Sequence, residues 1–419
     1  MANPERCVYV YDSFSDEKPS LLGRLYVNTS RGGETYSFEF EREWLRKSGL
    51  AKKIDPNLMP SVGRQFSEDR KLFGFLADAA PDRWGRTLMN RRERILAEKE
   101  GRKPRKLYES DYLLGVFDET RMGGIRLKED PDSAFVSDDK DMSAPPWSTL
   151  RTLEAASRNY EKNESGAVEK WLNQLIKPGS SLGGARPKAT VVDTNNEFWI
   201  AKFPSKHDEN DTGAWEMVAH DLAEMCGLNV PAAKLECFSK LGSTYLVKRF
   251  DRDGQRRIHF SSAMTMLGKQ DGASAADGTS YLDIASFIKS NGVRPKEDLH
   301  ELWRRIVFNM CISNTDDHLR NHAFLLTKKG WVLSPLFDVN PIPYGDELAL
   351  NVDELDNRIS IELAVQTAYR FGISEQNANL LAKEICGIVR DNWKKLATQY
   401  GLSRGKIEHM CPAFQVTER

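Results

Sequence analysis

The sequence predicts an α+β protein in which a small β-rich lobe precedes a larger helical lobe, with a separate α/β region at the N-terminus. Three observations predict it. Alternating apolar stretches fill the first 40 residues. A second set of strand-like stretches between 187 and 250 encloses one helical pattern, "GAWEMVAHDLAEMCG". From about 255 the pattern is helical, apart from a dense polar cluster and two short strand-like runs.

In chain order, "CVYVYD", "LLGRLYV" and "TYSFEF" read as strands, with "TSRGGE" as the turn joining the last two. "DRKLFGFLADAA" and "DRWGRTLMNRRERILAEKEG" follow as helical patterns separated at Pro81, a residue suited to a helix N-terminus. "GGIRL" reads as a short strand that closes this region. Residues 128–147 are acidic, hold three prolines and have no periodicity, so a linker is expected there. Helices resume near 149, and "PKATVVD" and "FWIAKF" then form a hairpin around "TNN". "GAWEMVAHDLAEMCG" stops at Gly227, and the strands "AAKLECF" and "TYLVKRF" follow it. The expected division is 1–127 for an N-terminal subdomain and 128–148 for the linker, then 149–254 for the β-rich lobe and 255–419 for the helical lobe.

Composition narrows the function classes. The 419 residues carry 60 basic and 61 acidic side chains, a net charge of −1, which is unlike a globally basic nucleic-acid binder. No run approaches about 18 uncharged apolar residues, so no membrane span is expected. The opening "MANPERCVYVYD" lacks the basic start and apolar stretch of a signal peptide, which points to the cytoplasm. The six cysteines include no CxxC pair and several lie in apolar stretches, as reduced core thiols do.

Four stretches carry chemistry. In "GSSLGGARPK" (179–188) small residues allow a tight turn whose N–H groups can face phosphate oxygens, and Arg186 and Lys188 add charge. The alternative is a plain Gly-Gly turn into a hairpin; the GxxxxGK[ST] phosphate loop is absent. Lys202 in "FWIAKFP" either snorkels to water, the default for a strand lysine, or meets an anion. Glu216 lies on the helix that follows. A Gly-rich turn, a strand lysine and a helix glutamate appear in this order in protein kinases, where the glutamate pairs with the lysine and fixes it against phosphates.

The fourth stretch is "NTDDHLRNH" (314–322), extended to "LFDV". Asp316 and Asn321 have the Asp-x4-Asn spacing of a kinase catalytic loop, and Asp338 stands where kinases place a magnesium-binding aspartate. A hydroxyl nucleophile needs a carboxylate to orient it and take its proton, here Asp316. Magnesium prefers oxygen ligands, here the Asn321 amide and the Asp338 carboxylate. Other readings stay open: Asp316 could cap a helix, and His318 and His322 have a spacing that could bind zinc. "HLRNH" lacks the intervening Glu of such zinc sites, so His318 is expected to hydrogen-bond within the loop.

Together, "SLGGARPK", "WIAKFP", "GLNVPAAKLE", "YLVKRFDR", "NTDDHLRNHAFLL" and "SPLFDV" resemble the HipA family of bacterial serine/threonine kinases, the toxins of HipBA toxin–antitoxin pairs. "APDRWGR" and "MGGIRL" look like N-terminal signatures of the same family, so the resemblance covers nearly the whole chain. It implies a two-lobed protein-kinase-like fold with an N-terminal subdomain. ATP would lie under the turn of Gly183, Gly184, Ala185, Arg186 and Lys188, with Lys202 on its phosphates and "VKRF", including Lys248 and Phe250, as the adenine hinge. Asp316 would be the catalytic base, with His318 beside the nucleotide and Asn321 and Asp338 holding Mg2+. Glu216 would make the structural ion pair, and Ser181 or Ser180 would be autophosphorylated, silencing the enzyme by charge.

The resemblance also implies a HipB-like helix-turn-helix antitoxin, DNA contacted mainly through it, and a protein substrate such as an aminoacyl-tRNA synthetase. The sequence departs from many members at Ser261–Ser262, where an acidic residue is usual, and at Arg186–Pro187, where some carry Gln-Glu. Two alternatives stand beside the kinase toxin. One is a largely non-catalytic co-repressor, for which 91–106, with eight basic and three acidic residues, could meet a phosphate backbone or simply be a solvated helix and turn. The other is a kinase of a small-molecule or lipid acceptor.

Overall fold

A computed structural model describes residues 5–30, 32–47, 49, 54–136, 144–162, 184 and 186–418. The chain divides into two compact units, 1–206 with 248–261, and 207–247 with 262–419. These limits differ from those expected of the sequence. The hairpin of Lys188–Val192 and Phe198–Lys202 groups with the N-terminal region, whereas the helix bearing Glu216 groups with the helical remainder.

The first unit opens with a five-stranded antiparallel sheet in the order β4-β3-β2-β1-β5, from β1 (Arg6–Asp12), β2 (Ser20–Ser30), β3 (Gly33–Phe40), β4 (Gln65–Phe66) and β5 (Ile125–Lys128). The predicted strands are all present. Period-2 alternation sends Val8, Val10, Leu25, Val27 and Phe38 into the core. Gly23 is required by a close approach, because a Cβ there would stand 2.4 Å from the Glu39 carbonyl and 2.5 Å from the Phe38 ring.

The helix predicted over "DRKLFGFLADAA" is only a 3-10 turn, Glu68–Arg70, and one α-helical turn, Gly74–Ala77. Asp69 adopts a left-handed φ of 51°, and Phe73 and Phe75 pack edge-on against Phe38. Tertiary packing has overridden the local period here. The next predicted helix forms over Arg83–Lys99, but its N-cap is Asp82, whose carboxylate accepts from Gly85 N at 2.8 Å. It packs through Trp84 and Leu88 on Ala156 and Tyr160 of the helix Leu150–Glu161.

Strands β6 (Lys188–Val192) and β7 (Phe198–Lys202) make the predicted hairpin, turning at Asn196 with φ 60°, and their register pairs Lys188 with Lys202. Residues 248–252 are tied to the N-terminal region by a buried ion network. Arg249 and Arg252 each reach Asp251 at 2.6 Å, Arg249 donates to Thr120 O at 2.6 Å, and Gly123 N donates to Asp251 at 2.7 Å. Burial would raise the pKa of Asp251, yet the two guanidiniums hold it well below the usual carboxylate range.

His259 is fully buried, stacked on Phe14 with ring centroids 4.6 Å apart, and burial pushes its pKa down to about 3. The unfolded chain therefore binds one more proton than the folded chain once pH falls below the ordinary histidine value. The contribution of neutral His259 to stability is whole above that value and is lost as pH drops toward about 3. Denaturant titrations should show wild type losing about 1.4 kcal/mol per pH unit within that window from this group, and His259→Phe should flatten the slope.

In the second unit a helix, Thr212–Met225, leads to a β-hairpin of β8 (Ala233–Ser239) and β9 (Gly242–Lys248). The remainder is predominantly helical, as predicted, with Tyr281–Asn291, Pro295–Cys311, Ile361–Thr367 and Glu375–Gln399 as its larger helices. Helix Pro295–Cys311 starts with proline at its first turn and buries residues all round, including Trp303, Ile306, Phe308 and Met310. Trp393 stacks on Phe414 at 4.1 Å and sits 6.5 Å from Trp215, which anchors the Glu216 helix on the long C-terminal helix. A hairpin of Ala323–Thr327 and Gly330–Leu333 follows the polar cluster.

Candidate active site

The polar cluster begins where helix Pro295–Cys311 ends. Ser313 takes a left-handed φ of 50°, and Asn314 N returns to Asn309 O at 2.8 Å, closing the helix. The next turn is organised around one carbonyl. Asp316 O accepts from His318 N at 2.9 Å and from Asn321 Nδ2 at 2.9 Å, and His318 O accepts from Asn321 N at 2.8 Å. This accounts physically for the Asp-x4-Asn spacing. The fold uses the Asp316 backbone and leaves its side chain exposed, while Asn321 is buried with its amide nitrogen committed and an oxygen left to act as a ligand.

Asp317, to which no sequence motif points, is the buried hub beneath this loop. Its Oδ2 accepts from Tyr281 OH at 2.7 Å and Asn309 Nδ2 at 2.7 Å, with His322 Nε2 at 2.9 Å. Burial alone would raise its pKa. The His322 ring and the hydrogen bonds from His322 and Tyr281 outweigh burial and keep it below the ordinary aspartate value. The only signal in the sequence is the doubled "DD", which does not say which acid turns inward. His322 Nε2 is thus engaged by Asp317, while its Nδ1 is buried with no hydrogen-bond partner. The expectation for His318 is corrected in part: its backbone bonds within the loop, but its ring Nδ1 is buried with no hydrogen-bond partner.

Asp338 follows the strand hairpin in a left-handed conformation, φ 58°, which non-glycine residues adopt sparingly, aspartate more readily than most. Leu336 N donates to Asn229 O at 2.8 Å, and Arg305 Nη2 donates to Ser334 O at 2.8 Å, so the segment leading to Asp338 is fixed on both sides. Glu216 and Asp338 line the same small cavity, with Ala219, His220, Tyr245 and Phe337. Burial, then the nearby Glu216 and Asp338 carboxylates, raises the Tyr245 phenol well above its usual pKa. The helix carrying Glu216 is capped by Asp211, which accepts from Ala214 N at 3.1 Å and from Ser243 N at 2.9 Å.

The basic residues singled out in the sequence, Arg186, Lys188, Lys202 and Lys248, lie in the first unit. Lys202 is 6% exposed, so the snorkelling expected of a strand lysine does not occur. Lys188 is also buried, and its Nζ is 2.8 Å from Asp82 Oδ2 and 3.1 Å from Gly184 O. Its charge is therefore engaged by the Asp82 of "APDRWGR", a partner 106 positions away that no local pattern reveals. Trp84 Nε1 donates to Lys188 O at 3.1 Å and secures the same strand. Arg186 Nε donates to Phe203 O at 3.1 Å, Lys248 pairs with Glu197 at 2.6 Å, and Phe250 is half-buried with its ring 6.4 Å from Phe260. Ser180, Ser181, Gly183 and Ala185 lie outside the described residues.

Two oxygen donors, Asn321 and Asp338, suit magnesium, which keeps several waters and takes substrate phosphates as further ligands. Among the described residues, no group of three or more His, Cys, Asp or Glu is placed to hold a metal ion.

Residues 180–393 match the model of the HipA-like C-terminal domain. A protein of Haemophilus influenzae named as a kinase is 28% identical over 187 residues, 39% of this chain and 54% of that protein. The serine/threonine-protein kinase toxin HipA of Shewanella oneidensis is 24% identical over 249 residues, 51% of this chain and 56% of that protein. The chain thus spans about half the length of these curated relatives. The solved complex of Shewanella oneidensis HipA with HipB and operator DNA matches with a TM-score of 0.64 at 17% identity, over 98% of this chain and 95% of that one. The fold is that of the HipA kinases, and with more than half of its length inside the family model, this chain belongs to the HipA-like C-terminal domain family.

Proposed function

We propose that this protein is an ATP- and magnesium-dependent serine/threonine protein kinase and the toxin of a toxin–antitoxin pair. The observation that carries the reading is the loop 313–322. It spends the Asp316 carbonyl on structure, presents the Asp316 carboxylate to solvent, and fixes Asn321 beside it. In the proposed reaction Asp316 orients an acceptor hydroxyl and takes its proton as the oxygen attacks the terminal phosphorus, whose bond to the bridging oxygen breaks so that ADP leaves. Asn321 and Asp338 hold magnesium, which supplies neutralisation of charge on the phosphates. Lys202, buried on its strand, is the proposed cation for phosphate oxygens.

Ser180 or Ser181 is the proposed autophosphorylation site, and a HipB-like DNA-binding antitoxin is the proposed partner. The match to the HipA, HipB and operator DNA complex supports the partner, with DNA reached mainly through it. The acceptor is proposed to be a protein hydroxyl.

Metal removal tests the reading. Transfer of label from γ-labelled ATP to protein should cease with EDTA and return with added Mg2+. Asp338→Asn should shift the Mg2+ concentration needed upward by at least about tenfold, the usual cost of weakening a magnesium ligand set. Label transfer that persists without any divalent cation would refute the assignment of Asn321 and Asp338.

A further inference from the structure

Helix Pro295–Cys311 delivers the chain into the loop of Asp316, and its last residue is a cysteine. The Sγ of Cys311 lies 3.4 Å from the Sγ of Cys386, on the long helix Glu375–Gln399, although 75 positions separate them. Two thiols at van der Waals separation on two packed helices need only a small closing movement to reach the bond length of a disulfide, about 2.05 Å. The two members are not equivalent. Cys311 is fully buried, whereas Cys386 is only half-buried.

We propose that Cys311 and Cys386 are a peroxide-reactive dithiol, with Cys386 the attacking thiol and Cys311 the resolving one. The environment favours those roles. The hydrogen bond between the two thiols, opposed by burial and aided by Arg390 one turn along, lowers the Cys386 pKa; the same bond together with burial raises that of Cys311. Cys386, the more exposed of the two, is the thiol a peroxide reaches first. The Cys386 thiolate attacks one peroxide oxygen, the O–O bond breaks, and the leaving oxygen departs as water after protonation, giving a sulfenic acid. The Cys311 sulfur then attacks the Cys386 sulfur and displaces the hydroxyl as a second water. Two thiols and one hydrogen peroxide become one disulfide and two waters.

Cys226 and Cys237 are less suited. Cys226 is buried, and burial raises its pKa to about 12; Cys237 is exposed, with its Sγ bonded to Ser239 O. The new bond would fix the helix end from which Asn309 holds Asp317, five residues from Asp316. The chemistry stands apart from the proposed phosphoryl transfer, and its test does not rely on kinase activity.

The test is intact mass and peptide mapping of the full chain after brief exposure to hydrogen peroxide, before and after dithiothreitol. The monomer should lose about 2 Da, the two thiol hydrogens, and yield a Cys311–Cys386 linked peptide that dithiothreitol releases. Cys386→Ser should abolish the loss. Cys311→Ser should trap Cys386 as a sulfenic acid that dimedone labels, and it is read alongside a circular dichroism spectrum to establish folding. Should Cys311→Ser misfold, the time course of Cys386 labelling in wild type gives the same information, since closure removes the dimedone-reactive species. A linkage to Cys226 instead, Cys386 passing to its sulfinic acid with no linked peptide, or both thiols surviving peroxide would overturn the proposal.

Discussion

Asp316→Asn is expected to reduce phosphoryl transfer from ATP by about 10²–10⁴-fold, the usual contribution of a positioned general base, with little change in thermal stability. Both halves follow from how the loop is built. Its internal hydrogen bonds run to the Asp316 carbonyl, which asparagine also has, and the carboxylate itself is exposed. The substitution removes a proton acceptor and preserves shape. Initial rates of label transfer at saturating Mg-ATP, with melting curves of both proteins, separate the two halves. Wild-type turnover in the variant would take Asp316 out of the catalytic role, and a collapse in melting temperature would show the side chain to be structural.

Asp317→Ala should do the opposite. It removes the acceptor shared by Tyr281, Asn309 and His322, all buried, and leaves their polar atoms facing a hole. Removing one partner of a buried charged cluster costs about 3–5 kcal/mol, a large part of the stability of an ordinary domain. The urea midpoint should fall steeply, and activity should fall with it because the loop loses its floor. Asp317→Asn restores one acceptor oxygen without the charge and should fall between.

The sign of the pH dependence follows from the depressed pKa. The contribution of Asp317 is whole above the ordinary aspartate value and is lost as pH falls through the lower value it has in the folded protein. Wild type should therefore lose more stability on acidification than Asp317→Ala does. Equal urea midpoints for wild type and Asp317→Ala would contradict the role of the hub.

Much of the fold and of the candidate site is legible in the amino-acid sequence. The hairpins around "TSRGGE" and "TNN", the helix ending at Gly227 and the loop from Asp316 to Asn321 are short-range features. There, period, turn chemistry and spacing act over a few residues. What is not legible depends on distant partners. "DRKLFGFLADAA" has a helical period, but Phe38 claims its aromatic residues for the core. Lys188 reads as a free cation until Asp82 arrives from 106 positions away. Lys202 has the neighbours of a snorkelling lysine, and only the packing around its strand shows it buried. Asp316 and Asp317 are adjacent identical acids, and which one faces solvent is decided by Tyr281 and Asn309 on two earlier helices.

The central claim, that this chain transfers phosphate to serine, is tested most directly by the intact mass of unmodified protein before and after incubation with Mg-ATP, beside Asp316→Asn. The account predicts a gain of about 80 Da, one phosphoryl group, mapped to Ser180 or Ser181 and absent from the variant. An unchanged mass in wild-type protein that starts unmodified and binds ATP would contradict it.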